Sequence, residues 1–435
     1  MSDRRFRFGV LSAAVIGVGL RVIYVLTETR GRSSAVGDAT IYHLLAKLLA
    51  RGEGYIRPME FFLLGDRVAT AEFPPLWPMT LAGLDLIGLD RPGEHRLVGA
   101  LIGGATIIVM GLLGEVVGGR TVGVVSAVVA AVYPQLIVFD VSLLSEGLFL
   151  FLVATTLLGV FKARAVSGAS AGRWWLLASA ALGLAAITRT ESVLLVPLLI
   201  VPAARHVDRR VWLRSAAIGS AGVLLTLGAW TVRNAISLGH PQPFTNNSGT
   251  LIAGSNCDEV YSGFRTGLWW FDCVPTIQFQ LNDEVEGAAI QRDAGISYAT
   301  DHLSELPKVA VVRVARTFGV WDVRTQLFFE SFEGRNYDWL RAGWLMWIAL
   351  APLAVIGGVV HRRRGAELWP LIVPIGIALL TAASAYGNQR FRVIAEPGVV
   401  VLAAVGLVAI ARSIRSAVVA RGNPTQGAHA PGGSL

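Results

Sequence analysis

Apolar runs of about 18 residues or more recur from one end of this chain to the other, beginning with FGVLSAAVIGVGLRVIYVL at 8–26. A helical run of that length matches the hydrocarbon core of a bilayer. The first run is long and no clear small-x-small cleavage site follows it, so it reads as a retained helix rather than a removed signal. Only 16% of residues are charged and 53% are hydrophobic, whereas a soluble domain carries about 25% charge. The pattern predicts an all-α polytopic membrane protein. The net charge of +8 does not point to nucleic acid, because the arginines fall in short loops between apolar runs and act as topology signals. Abundant Ala, Val, Gly and Arg with little Lys suggest a GC-rich bacterial source and hence a bacterial plasma membrane.

Arg-rich segments mark the cytoplasmic side: Arg4, Arg5 and Arg7; Lys162, Arg164 and Arg173; 205–214; HRRR at 361–364; Arg412 and Arg415. With that orientation about ten helices are expected, near 8–27, 96–117, 121–138, 144–162, 174–188, 190–204, 211–231, 341–360, 367–386 and 395–412. The run 76–89 is short for a span and reads as an interfacial or half-inserted helix. Two loops then lie outside, 28–95 and 232–340. The second includes amphipathic helices, with 306–321 along the interface. The expected organisation is an N-terminal transmembrane catalytic module (1–231, with the first outer loop), the large extracytoplasmic loop (232–340), C-terminal transmembrane helices (341–412) and a cytoplasmic, largely disordered tail (413–435).

Polar residues concentrate at the outer helix ends: Asp38, Glu72, His95, Arg96, Asp140, Glu146, Arg189, Glu191, Arg233, Asn234, Asn388, Arg390 and Arg392. Each has a plain structural role open to it. Asp38 precedes Ile41, Leu44, Leu45, Leu48 and Leu49, which share one helical face, and Asp suits an N-cap there. Glu72 in AEFPPLWP suits a solvated loop. Glu146 suits a helix N-terminus, Arg189 and Glu191 suit one another, and Arg233 suits snorkelling. Their shared placement favours one site at the outer boundary for an anionic, lipid-linked substrate.

Several stretches carry a family resemblance: GDATIYHLLAKLLARGEGY (37–55), EFPPLWPMTLAGLDLIGL (72–89), RLVGALIGGA (96–105), YPQLIVFDVSLLSEGLFLFL (133–152), ITRTESVLLVPLL (187–199), WTVRNAISLG (230–239) and QRFRVIAEPGVVVLAAVGL (389–407). Their order and spacing resemble the GT-C membrane glycosyltransferases, in the branch of protein O-mannosyltransferases and aminoarabinose transferases. The resemblance implies a polyprenyl-phosphate-linked sugar donor and inverting transfer at the extracytoplasmic face. It implies the acid of the first outer loop, Asp38, as catalytic base. O-mannosyltransferases carry an Asp-Glu pair there. Here the second position is Ala39, which argues against a protein hydroxyl as acceptor.

Inverting transfer needs a base for the acceptor hydroxyl and stabilisation of the departing phosphate. Arg suits phosphate by bidentate hydrogen bonding, which nominates Arg233, Arg390, Arg392 and Arg189. Glu72, Asp140 and Glu146 are candidates for orienting the acceptor or holding a cation. Phosphate is a good leaving group, so no cofactor is required and no metal ligand set is assigned. A divalent cation is compatible with the spare acids. Partners are the lipid-linked donor and the bilayer, with no nucleic acid and an unassigned acceptor. The prenyl tail needs an apolar groove, for which 76–89 and the aromatic stretch 318–347 are candidates.

Cys257 and Cys273, the two cysteines, share the large outer loop and are expected to pair. A transporter or flippase of lipid-linked sugars is the competing reading, and a non-catalytic scaffold of envelope assembly is a third. Transporters place charges at the membrane midplane and show repeated halves. Neither pattern is evident here.

Overall fold

A computed structural model describes residues 1–28, 37–206, 208–274 and 283–422. Regular structure among them is helical, apart from one isolated antiparallel bridge, Ile56–Ala69. In chain order the principal helices are α1 (Asp3–Glu28), α2 (Asp38–Ala50), α3 (Leu76–Asp85), α4 (Pro92–Gly118), α5 (Arg120–Val132), α6 (Pro134–Val141), α7 (Glu146–Ala165), α8 (Gly168–Ala186) and α9 (Arg209–Leu238). They continue with α10 (Glu284–Asp301), α11 (Leu306–Thr317), α12 (Val323–Ser331), α13 (Tyr337–Arg363), α14 (Trp369–Ser384) and α15 (Glu396–Gly422).

The chain is a multi-pass membrane protein. Among the described residues six helices, α1, α4, α7, α9, α13 and α15, are long and apolar enough to cross a bilayer, and the bent pair α5–α6 brings the number to seven if it forms one span. The ten expected spans are therefore not all matched. The apolar stretch after α8 is a short helix over 190–203, broken into 3₁₀ and π turns, and α14 has 16 residues. In the first of these, irregular winding interrupts the α-helix within the apolar run. The segment 76–89 forms only the 10-residue α3, as its length anticipated. The expected tail after 422 lies outside the described residues.

The α5–α6 bend of 61° follows from proline. Pro134 has no N–H, so the Ala130 carbonyl one turn back loses its partner. Arg21, buried in α1, replaces it. It donates to the carbonyls of Ala130 (3.4 Å) and Ala131 (3.2 Å), and its Nε pairs with Asp140 at 2.6 Å. Asp140 thus balances the arginine that caps a broken helix. Elsewhere α13 and α15 touch through Gly357 and Gly406, where a side chain on either would strike the opposing backbone. Small residues permit such approach between membrane helices.

The loop between α9 and α13 folds over one end of the bundle. Cys257 and Cys273 are disulfide-bonded, as the oxidising-side placement anticipated. Arg313 and Arg316 of α11, both buried, donate to backbone carbonyls in this region: Arg313 to Ser255, Arg316 to Thr266 (2.7 Å) and Phe264 (2.7 Å). The Gly387 N–H donates to the Gly267 carbonyl at 2.7 Å, joining the loop to the segment before α15. Replacing both cysteines by serine is expected to lower the stability of this cap by about 3 kcal/mol in the loop-entropy account. Thermal unfolding of the double variant against wild type checks this, with a gel-mobility shift on reduction confirming the bond.

Candidate active site

The site forms where the first loop, the α6–α7 turn, the segment after α8, the α12–α13 turn and the segment before α15 meet. Asp38 is the first residue of α2. The N-cap is Gly37, in a left-handed conformation (φ 59°), and no side chain caps the helix. The capping role open to Asp38 is therefore not used. Its Oδ2 instead lies 3.1 Å from Nη1 of Arg390, 352 residues along the chain.

Arg390 sits in a buried 3₁₀ turn, Gln389–Ile394. Three contacts fix this turn. Asn388 Oδ1 accepts from the Arg390 N–H (3.0 Å), Glu330 Oε1 accepts from the Gln389 N–H (2.9 Å), and the Asn388 N–H donates to Thr317 Oγ1 (3.1 Å). The Arg390 guanidinium meets three carboxylates. Nε donates to the fully buried Glu146, and Nη1 donates to Asp38 and, at 3.2 Å, to Glu333. Arg189 flanks it, with Nη1 on Glu146 at 2.9 Å and Nε on Glu191 at 2.6 Å. Neither Arg189 nor Arg390 makes a hydrogen bond through Nη2 among the described residues. Two guanidiniums are thus joined through one buried carboxylate, each with a nitrogen that makes no hydrogen bond among the described residues.

Burial works against the Arg390 charge, but Glu146, Glu333 and Asp38 outweigh it and hold its pKa well above the ordinary value. The Asp38 carboxyl is raised above its ordinary range. Enclosure by surrounding protein is the main cause, Arg390 opposes it and Glu333 adds to it. Its side chain nonetheless keeps 41% of its surface accessible, so the carboxylate is both enclosed by protein and reachable. Tyr42, one turn along α2, and Tyr386 are enclosed beside the same charges.

Glu72 lies nearby in the loop ahead of Pro74 and Pro75. Its carboxyl is raised to about 7 by burial, then by the charge of Glu284, with Asp38 also contributing. A raised acid contributes stability below its ordinary range, and that contribution is lost as pH rises through about 7. Glu72→Gln should match the wild-type melting temperature near pH 4, below the ordinary glutamate range, and exceed it at pH 8, by an amount worth about 1–3 kcal/mol. Thermal unfolding at the two pH values is the check.

Four sequence candidates take other roles. Arg233 donates to the carbonyls of Thr70 and Tyr55, each at 2.6 Å, and lies over the rings of Tyr55 and Trp230. It clasps the Glu72 loop. Glu284 helps from the other side, accepting from the Ala71 N–H (2.7 Å) and pairing with Arg57. Arg392 is fully buried, paired with Glu396 at 2.7 Å and set over Trp347. Its turn points it away from Arg390, into the bundle. Asp140 serves the helix break, with Arg21 as its partner. Glu146 has no exposed surface, so it holds the two arginines and is out of reach of an acceptor.

Sequence reading missed Glu333, Arg335, Tyr42 and Tyr386. Glu333 follows Phe332 in the aromatic stretch 318–347, which the sequence offered only as a candidate lining of the prenyl groove. The only trio of metal-binding residue types that converges among the described residues is Cys257, Glu259 and Cys273, and the disulfide occupies both sulfurs. Around Arg390, the guanidinium itself lies where a cation between Asp38, Glu146 and Glu333 would sit. The acid set therefore fits an arginine and not a resident metal ion. A cavity of about 500 Å³ lined by Arg324, Thr325, Phe328 and Tyr337 opens within the expected groove stretch 318–347. A cavity of about 600 Å³ beside Arg362 and Trp369 lies at the other end of α13, away from these carboxylates.

The family model of dolichyl-phosphate-mannose-protein mannosyltransferases matches residues 73–231. No curated protein sequence matches the chain. Among solved structures, the Archaeoglobus fulgidus oligosaccharyltransferase tethered to an acceptor peptide is 13% identical, with a TM-score of 0.57 over 99% of this chain and 52% of that one. The fold is the GT-C fold. Two further structures of the same archaeal enzyme share this GT-C architecture. Its apo form is 14% identical (TM-score 0.55, 96% of this chain, 52% of that one). Its complex with an inhibitory peptide and a dolichol-phosphate is 12% identical (TM-score 0.54, 98% and 52%). The enzyme has also been solved with zinc and sulfate. The chain spans about half the length of these structures.

Proposed function

We propose that this protein is an inverting glycosyltransferase. It moves a hexosyl or pentosyl group from a polyprenyl-phosphate-linked donor to a cell-envelope glycan, lipid or protein acceptor at the extracytoplasmic face of a bacterial plasma membrane. The observation that carries the reading is the 3.1 Å contact between Asp38 and Arg390, with Arg189 alongside. It joins an accessible carboxylate to a paired-arginine anion site on a GT-C fold. The matched mannosyltransferase family and the dolichol-phosphate bound by the archaeal relative support a lipid phosphate as the anion.

In the proposed step the acceptor oxygen attacks the anomeric carbon from the face opposite the phosphate. A new C–O bond forms as the anomeric C–O bond to phosphate breaks. The acceptor proton passes to Asp38, and the bonding electron pair leaves on the phosphate oxygen. The free Nη2 groups of Arg390 and Arg189 stabilise that growing charge. Glu72, which titrates near neutrality, orients the acceptor. The second loop and the transmembrane helices on either side act as one catalytic unit.

The test uses membranes holding the protein, given radiolabelled polyprenyl-phosphate mannose or arabinose. An enzyme moves label out of the prenyl-lipid fraction. A flippase leaves the label on the lipid and changes only its leaflet.

A further inference from the structure

The site assigned to an anionic phosphate holds more carboxylates than arginines. Among the described residues, Asp38, Glu146, Glu191, Glu330 and Glu333 are linked by ion pairs to only three arginines, Arg189, Arg335 and Arg390. A phosphate entering this arrangement unchanged would add a negative charge to an existing excess.

Two of the five acids differ from the rest. Asp38 and Glu333 are the most accessible, with 41% and 28% of their side-chain surface against 15% for Glu191 and none for Glu146 and Glu330, and both take the same nitrogen, Nη1 of Arg390. Glu333 also stands on a built mount. Gly334 turns the chain with a left-handed φ of 81°. Arg335, without exposed surface, pairs with both Glu333 and Glu330. Glu330 accepts from the Gln326 side chain and from the Gln389 backbone, next to Arg390. The mount therefore tracks the segment that carries Arg390. On Arg390 itself, Nε is committed to buried Glu146, Nη1 has two acceptors, and Nη2 has no hydrogen bond among the described residues.

We propose that Glu333 is a competing counter-ion for Arg390, holding the guanidinium in the donor-free site, yielding it to the lipid phosphate, and reclaiming it to expel the spent polyprenyl phosphate. The inference rests on reading Arg390 as the phosphate ligand. Glu333 acts through Arg390 and is a positioning residue. A like charge a few ångströms from a bound phosphate is strongly unfavourable at the effective dielectric of a partly enclosed site. Neutralising Glu333 while keeping its shape should therefore tighten phosphate binding, chiefly through slower dissociation. If Glu333 were only a support for Arg390, its loss would weaken binding.

The test is titration of the full-length protein in detergent with undecaprenyl phosphate, recording affinity and dissociation rate. Glu333→Gln is expected to bind about tenfold more tightly, with the gain in the dissociation rate. Glu333→Asp keeps the charge and draws it back by one methylene. It should gain about two- to threefold and reads the same competition should the Gln variant fail to fold. Unchanged or weaker binding in both variants overturns the proposal for Glu333. Wild-type protein that does not bind undecaprenyl phosphate, or Arg390→Lys that binds it as wild type does, overturns the reading of Arg390 instead.

Discussion

Arg390→Ala should unfold at a clearly lower temperature and lose measurable binding of undecaprenyl phosphate. The guanidinium joins Asp38, Glu146 and Glu333. Its removal leaves Glu146 buried beside Arg189 alone, and leaves Asp38 and Glu333 facing each other without their shared cation. Removing one partner of a buried ion pair costs about 3–5 kcal/mol, because the charge left behind has no water to replace it. Arg390→Lys separates the two consequences. Lysine keeps a positive charge beside Glu146, so most of the stability returns. It cannot bridge three carboxylates and a phosphate at once, because its ammonium is a compact point charge. Near-wild-type unfolding with at least tenfold weaker binding is the expected result for the lysine variant. Full binding would contradict the anion-site role.

Asp38→Asn should fold as the wild type does and transfer sugar about 10²–10⁴-fold more slowly, the usual contribution of a positioned base. Asparagine is nearly isosteric, and its side-chain carbonyl can still accept from Arg390 Nη1. It cannot take the acceptor proton. The pH dependence follows from the same residue. A base must be ionised to act, and enclosure raises the Asp38 carboxyl above the ordinary aspartate range. Wild-type transfer should therefore fall on acidification at a pH above that range, and the residual rate of the asparagine variant should lack this acid limb. An identical limb in both proteins would assign it to another group, with Glu72 the nearest candidate.

The membrane class and the polar end of the molecule were legible in the chain, because long apolar runs and the ionisable residues at their ends are properties of composition. The disulfide was legible for a similar reason, since two cysteines 16 residues apart in one loop have few alternatives. Side-chain direction was not. Arg390 and Arg392 differ by two positions, yet a 3₁₀ turn sends one to Asp38 and the other to Glu396 and Trp347. Asp140 sits in the same polar band as Glu146, but the proline break at 134 claims it through Arg21. The motif at 230–239 holds Arg233, whose bonds reach backbone carbonyls of the first loop, a contact across 163 residues that no local pattern encodes. Glu333 was hidden by its aromatic neighbours. Helix boundaries were also hidden, because apolarity does not reveal where an apolar run leaves the regular α-helix, as it does over 190–200.

The central claim is that a carboxylate near the N-terminus and an arginine near the C-terminus form one transfer site for a lipid-linked sugar. The direct measurement compares membranes holding equal amounts of wild-type protein and Asp38→Asn, each given radiolabelled polyprenyl-phosphate mannose or arabinose. The account predicts loss of label from the prenyl-lipid fraction with wild type and retention of the label with the variant. Equal transfer by the two proteins would contradict it.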